Sequence, residues 1–95
     1  MAGPIQRNVV VKYFGTPDAT EGSVNEPRER EEHGQRFNEK WVYHHPRNDP
    51  AGAVERTIYW RRYDFVASMI RRQPGGEWER DDTLLAALGH EMIAH

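Results

Sequence analysis

Cysteine is absent from the chain, and its absence excludes disulfide bridges, thiolate metal sites and cysteine nucleophiles. A cysteine-free chain gains nothing from an oxidising compartment, so the expected location is the cytoplasm. Long apolar runs are missing too: no stretch nears the roughly 18 residues of a bilayer-spanning helix. The segment Met1–Arg7 lacks the apolar core of a signal peptide. A soluble protein with no membrane partner is expected. An excess of one charge sign is also lacking. Net charge is −2, with seven basic and seven acidic side chains in residues 1–48, then six and eight in residues 49–95. Phosphate binding draws on a basic excess that this chain does not have. Eleven of the thirteen basic residues are arginine, which a GC-rich genome explains as well as arginine-specific recognition does.

What is present suits one small domain spanning residues 1–95. The apolar fraction of 37% and charged fraction of 29% are near ordinary globular values, on the polar side. Three Trp, four Tyr and three Phe supply large side chains to bury. Residues 8–15 (Asn-Val-Val-Val-Lys-Tyr-Phe-Gly) are β-branched and aromatic and stop at a glycine, which reads as a strand. From Thr16 to Arg36 the chain turns polar, with two prolines, two glycines and a single large aliphatic residue, Val24. Such a stretch buries too little to offset its ordering entropy, and a mobile loop over 16–36 is expected. Residues 37–45 read as a second strand, with Phe37, Trp41 and Tyr43 on one face, Glu39 as the exception, and Pro46 beyond its end.

Residues 57–70 are rich in β-formers, yet their period favours a helix. At about 100° per residue, Thr57, Arg61, Asp64, Ser68 and Arg71 line one polar stripe. Tyr59, Tyr63, Val66 and Ile70 form the opposite stripe, whereas a single strand would set Ile58 beside Arg62 and Asp64. Asp49 and Pro50 suit a helix start, and Arg71, Arg72 and Pro74-Gly75-Gly76 suit its end. A helix from about 50–53 to 72 is therefore expected. Residues 76–80 read as an edge strand or linker. Asp81 or Asp82 then caps a last helix carrying Leu84, Leu85, Leu88 and Met92. The fold class is α+β: a small antiparallel sheet packed against a long central helix and a C-terminal helix.

Catalytic patterns are scarce. His90 and His95 stand five residues apart, roughly 140° around a helix, whereas the zinc-binding His-Glu-x-x-His pattern needs a spacing of four. His44 and His45 point to opposite sides of a strand. Neither Ser23 nor Ser68 lies in a nucleophile-elbow context, and Gly75-Gly76 is no phosphate loop. No cofactor and no metal site is expected, and the balance leans away from an enzyme.

The wide apolar arc of the expected central helix offers Trp60, Tyr59 and Tyr63 as interface candidates, because exposed aromatic patches mark protein contacts. The leading functional reading is a small non-catalytic interaction or regulatory protein with a protein partner, or self-associating through that helix. Trp60 sits at the margin of the arc, where it is expected to face a partner. Nucleic-acid binding through Arg61, Arg62, Arg71 and Arg72 beside Trp60 is the alternative, disfavoured by net charge. A small enzyme or metal-binding protein is the second alternative.

Overall fold

In the computed structural model, which describes residues 5–84, 86 and 88, the chain opens with a helix where its composition suggested a strand. Helix α1 runs Arg7–Phe14. Val10 is fully buried, and Val9, Tyr13 and Phe14 pack partly buried around it, a helical spacing of i, i+3 and i+4. The helix-propensity penalty of valine is at most about 0.7 kcal/mol. Burying one such side chain gains about 1.5–3 kcal/mol, so docking overrides propensity. Gly15, at φ 87°, ends the helix, and its N–H donates to the Val11 carbonyl at 2.7 Å.

Seven strands follow: β1 Ala19–Gly22, β2 Arg30–Glu32, β3 Gln35–Phe37, β4 Glu39–His44, β5 Glu55–Arg61, β6 Asp64–Arg71 and β7 Glu79–Arg80. Five of them make one antiparallel sheet in the order β1-β4-β5-β6-β7. β2 and β3 form a separate ribbon, joined by His33 and Gly34, both at positive φ. The described structure is thus mostly antiparallel β with one short helix, not the α+β arrangement of a sheet on a long central helix.

The expected central helix over 50–72 is the largest correction. Its place is taken by the β5–β6 hairpin, in which Arg61 faces Asp64 across the two-residue turn Arg62–Tyr63. Three facts made the hairpin resemble a helix. The turn reverses side-chain parity, so Arg61 and Asp64, three apart in sequence, end as cross-strand partners. A register shift between Tyr59 and Trp60 leaves Val66 as an extra residue on β6 and breaks parity again. The interior of β5 is also buried on both faces, from Arg56 through Trp60, which erases the alternation that marks a half-exposed strand.

Both faces are covered because two clusters sandwich the sheet. On one side Trp41, Tyr43, Ile58 and Trp60 meet Ile5, Val10, Leu84 and Leu88. On the other, Tyr59, Ala67 and Met69 meet Phe37, with Val66 and Trp78 at the margin. Phe37 therefore leaves the face shared by Trp41 and Tyr43, and buried Glu39 takes that place. The stretch 16–36, expected as a loop, contains β1 and β2 and opens β3. Charged anchors replace the apolar ones it lacks: Lys40 Nζ lies 3.4 Å from Glu21 and 3.2 Å from Glu32. No C-terminal helix is delimited among the described residues. Leu84 and Leu88 are buried there, while the expected Leu85 and Met92 positions, with His90 and His95, lie outside them. No helix among the described residues is long and apolar enough to cross a membrane.

Gly22 ends β1 at φ 75°, and a Cβ there would collide with the Asn38 carbonyl oxygen. A left-handed backbone and a backbone clash act together, so Gly22→Ala is expected to lose about 2–4 kcal/mol. Urea unfolding at constant m-value measures this. An unchanged midpoint would contradict the close approach of β1 to Asn38.

Candidate functional site

The polar residues sort into groups consumed by the fold and groups presented at its surface. The most buried is Arg56, with no exposed area. Its Nε donates to Asp49 Oδ1 at 2.7 Å and its Nη1 to Ser68 Oγ at 2.7 Å. Its Nη2 lies 3.0 Å from Asp49 Oδ2 and 3.0 Å from Asp81 Oδ2. Asp49 also accepts from the Ala51 and Ala53 amides at 3.0 Å each, so it organises a turn instead of capping the expected helix. Burial alone would raise the Asp49 pKa. The Arg56 hydrogen bond, then the Ala53 amide, the Arg56 charge and the Ala51 amide, bring it below the ordinary value of 3.8. Arg56, Asp49 and Ser68 are engaged with one another, and Asp81 Oδ2 with Arg56 and Thr83, so the cluster is bound into the fold.

Two further groups are consumed in the same way. Arg7 lies 2.5 Å from Glu39, whose other oxygen accepts from Trp41 Nε1 at 2.8 Å. The Arg7 guanidinium sits 4.9 Å from the Trp41 ring centre and 5.2 Å from that of Trp60. On the opposite face, the Tyr59 hydroxyl donates to Glu32 at 2.6 Å. Burial, and then this carboxylate, push the Tyr59 pKa well up, so it stays neutral. Ser68 is bound to Arg56 and is no nucleophile, and His44 Nδ1 lies 2.8 Å from Glu55. Among the described residues, no three His, Asp or Glu side chains gather as a metal site.

The interface candidates separate sharply. Trp60 and Tyr59 have no exposed area, which corrects the expectation that Trp60 borders an open surface. Trp60 is core: its ring centre lies 5.0 Å from that of Trp41, and Phe65 approaches it edge-on. Tyr63 is 71% exposed, at the tip of the β5–β6 hairpin. The proposed basic set is split as well. Arg61 and Arg62 flank the tip, while Arg71 and Arg72 lie at the other end of β6, roughly 25 Å away at a strand rise of about 3.3 Å per residue.

The tip is built with care that sequence did not disclose. Arg62 adopts φ 58°, a left-handed conformation that non-glycine residues seldom take. Three contacts hold it: its N–H donates to Asn38 Oδ1 at 3.2 Å, its Nη1 to the Val24 carbonyl at 2.5 Å, and Arg7 Nη1 donates to its carbonyl at 3.2 Å. Arg61 is fixed by Glu29 at 2.9 Å. Asn38, itself buried, reaches back to the Glu26 carbonyl at 3.2 Å. Arg7, Glu29 and Asn38 were missed because each lies at least 24 residues from the turn it supports. Only the scarcity of turn-forming residues at Arg62–Tyr63 could have hinted at outside support. Comparisons with protein families, curated proteins and solved structures find no match for this chain.

The buried cluster predicts an acid limb to stability. Asp49 titrates below 3.8 in the folded state, so its contribution is full above that value and lost as pH falls through the lower folded one. The urea midpoint should therefore drop below about pH 4, and drop less steeply in Asp49→Asn. At neutral pH, Asp49→Ala should cost about 3–5 kcal/mol by stranding the Arg56 charge. An equal acid slope in wild type and Asp49→Asn would show that this pair does not drive it.

Proposed function

We propose that this protein is a non-catalytic interaction module that meets a protein partner with the β5–β6 turn, Tyr63 serving as the anchor. The observation that carries this reading is the contrast at the tip. A left-handed Arg62 is held by three hydrogen bonds, while the neighbouring Tyr63 is left 71% exposed. Strained backbone persists where the surroundings over-determine it, and such positions concentrate at functional sites. A rigid, amphipathic tyrosine offers contact area with little entropy left to lose, the property that makes Tyr a frequent hot spot.

The other polar groups argue in the same direction. Arg56 is paired with Asp49 and Asp81, Arg7 with Glu39, and Tyr59 with Glu32, all inside the fold. The cations weighed for nucleic-acid binding are engaged: Arg61 with Glu29, Arg71 with Glu55, Arg72 with Glu79, and Arg62 with Val24. Freeing them for phosphate would break these contacts first.

Tyr63→Ala should leave stability within about 0.5 kcal/mol of wild type, since the ring is exposed. A photo-crosslinking benzoylphenylalanine in place of Tyr63 should give one discrete protein adduct, to a partner or to a second copy. The same probe in place of exposed Arg47 should not. For the captured protein, Tyr63→Ala should weaken binding about 30-fold or more, the loss of a hot spot. Indistinguishable labelling from both positions would defeat the reading, and adducts with nucleic acid would replace it with the alternative.

A further inference from the structure

The face of the sheet away from α1 is closed by a cover of a different kind. The β2–β3 ribbon is a separate two-stranded unit, and among the described residues no backbone hydrogen bond joins residues 27–37 to the five-stranded sheet. β3 lies across β5 and β6, where Tyr59, Ala67 and Met69 are buried. The chain leaves the ribbon through Asn38, whose N–H donates to the Trp60 carbonyl at 2.8 Å, so this end is fixed to the sheet.

What fastens the ribbon changes along its length. At the fixed end Phe37 is buried against Tyr59, and just ahead of β2 Glu29 pairs with Arg61. From Arg30 to Arg36 no residue carries an apolar side chain and none is buried. The ties over that stretch are polar: Glu32 to Lys40 at 3.2 Å, Glu32 to the Tyr59 hydroxyl at 2.6 Å, and Arg30 to Glu21 at 3.0 Å. At the turn, His33 rests against Trp78 with ring centres 5.9 Å apart. Arg30 and Glu21 stand well exposed, and such pairs contribute little and are screened by salt. Glu32 is the stronger tie, because it accepts from Lys40 on β4 and from Tyr59 on β5. Lys40 divides its charge between Glu32 and Glu21, which lies 3.4 Å away on β1.

A segment with few buried apolar contacts opens at lower free energy than the core it covers. Detaching residues 30–36 breaks no backbone bond of the five-stranded sheet, and Phe37 stays at the fixed end. The cost is hydration of the apolar surface beneath, chiefly Met69 and Ala67. The opposite face has no such release. There Val10 of α1 and Leu84 and Leu88 are themselves fully buried against Trp41, Ile58 and Trp60, so uncovering it dissolves that cluster.

We infer that the β2–β3 ribbon is a strap that releases from the sheet as a unit while the sheet stays folded, with the Glu32 contacts to Lys40 and Tyr59 as its clasp. The chain has no cysteine, so one introduced thiol reports access to the covered face. Met69 lies two residues along β6 from Ala67, the partner of Tyr59, and so farther from the Phe37 contact. Met69→Cys puts the probe under the free end, Ala67→Cys repeats the test with a smaller change of volume, and Ile58→Cys in the opposite cluster is the control. Labelling by iodoacetamide is compared with each variant's own unfolding equilibrium. Met69→Cys and Ala67→Cys should react about tenfold or more faster than global unfolding allows, with little dependence on urea. Labelling should quicken several-fold in about 1 M NaCl, and likewise when Glu32→Gln is added. Ile58→Cys should react only through global unfolding, with the full urea dependence. Unfolding-limited labelling at all three positions would overturn the strap, as would fast labelling under the ribbon that ignores both salt and Glu32→Gln. Tyr63→Ala should leave every rate as it is, since the strap does not rest on the tip.

Discussion

A guanidinium carried into the interior of a small domain must find acceptors for the N–H groups it can no longer offer to water. Arg56 finds them in three different segments. Asp49 comes from the loop before β5, Ser68 from β6, and Asp81 from the chain beyond β7. The isolated charge would be prohibitive to bury, whereas the fully paired cluster is tolerable and unforgiving. Its energetic worth against an apolar replacement is small or negative. Its structural consequence is large, because only one arrangement of loop, hairpin and C-terminal segment satisfies all partners at once. Phe14 closes the cluster from the helix side, its ring centre 5.8 Å from the guanidinium, so α1 is tied to the same point.

The two faces of the sheet are covered in different ways. One face is sealed by aliphatic and aromatic side chains from α1 and from Leu84 and Leu88. The other is sealed by a ribbon that has almost no apolar residue to contribute except Phe37, which stacks 4.7 Å from Tyr59. Glu32 bridges that deficit by accepting from both Tyr59 and Lys40. Burial would raise the Glu32 pKa, but the hydrogen bonds from Tyr59 and then Lys40 hold it below its ordinary value. The ribbon is thus fastened by ionic and hydrogen bonds where a richer sequence would have used an apolar face.

That division explains what could be read from the residues. The stretch 37–45 as largely extended was legible, because a period of two along Trp41 and Tyr43 reports directly on burial. The hairpin was not. Its turn carries Arg and Tyr where Asn-Gly would have announced it, a bulge at Val66 shifts the period, and β5 is buried on both sides. The ribbon was hidden because its anchors are charges, which sequence reading assigns to solvent. Helix α1 was hidden because three consecutive valines favour a strand locally, and only the docking of Val10 decides otherwise. Of the three aromatics assigned to one surface, Tyr63 is exposed at the tip, whereas Trp60 and Tyr59 were placed there through a helical geometry the chain does not adopt.

The β5–β6 hairpin therefore has unlike ends on one rigid body. Its core, from Arg56 to Trp60 and from Ala67 to Ile70, is buried, so neither end can shift without disturbing both clusters. Left-handed non-glycine residues fall at its tip, in Arg62, and beside its base, in His45 and Asn48. Tyr13 donates to the Asn48 carbonyl at 2.8 Å, and Arg7 to that of Arg62, so one short helix braces strained backbone at both ends. Though only eight residues long, α1 reaches both positions through its Arg7 and Tyr13 side chains. Loosening α1 would remove a hydrogen bond from the Arg62 turn and another from the Asn48 loop at the same time.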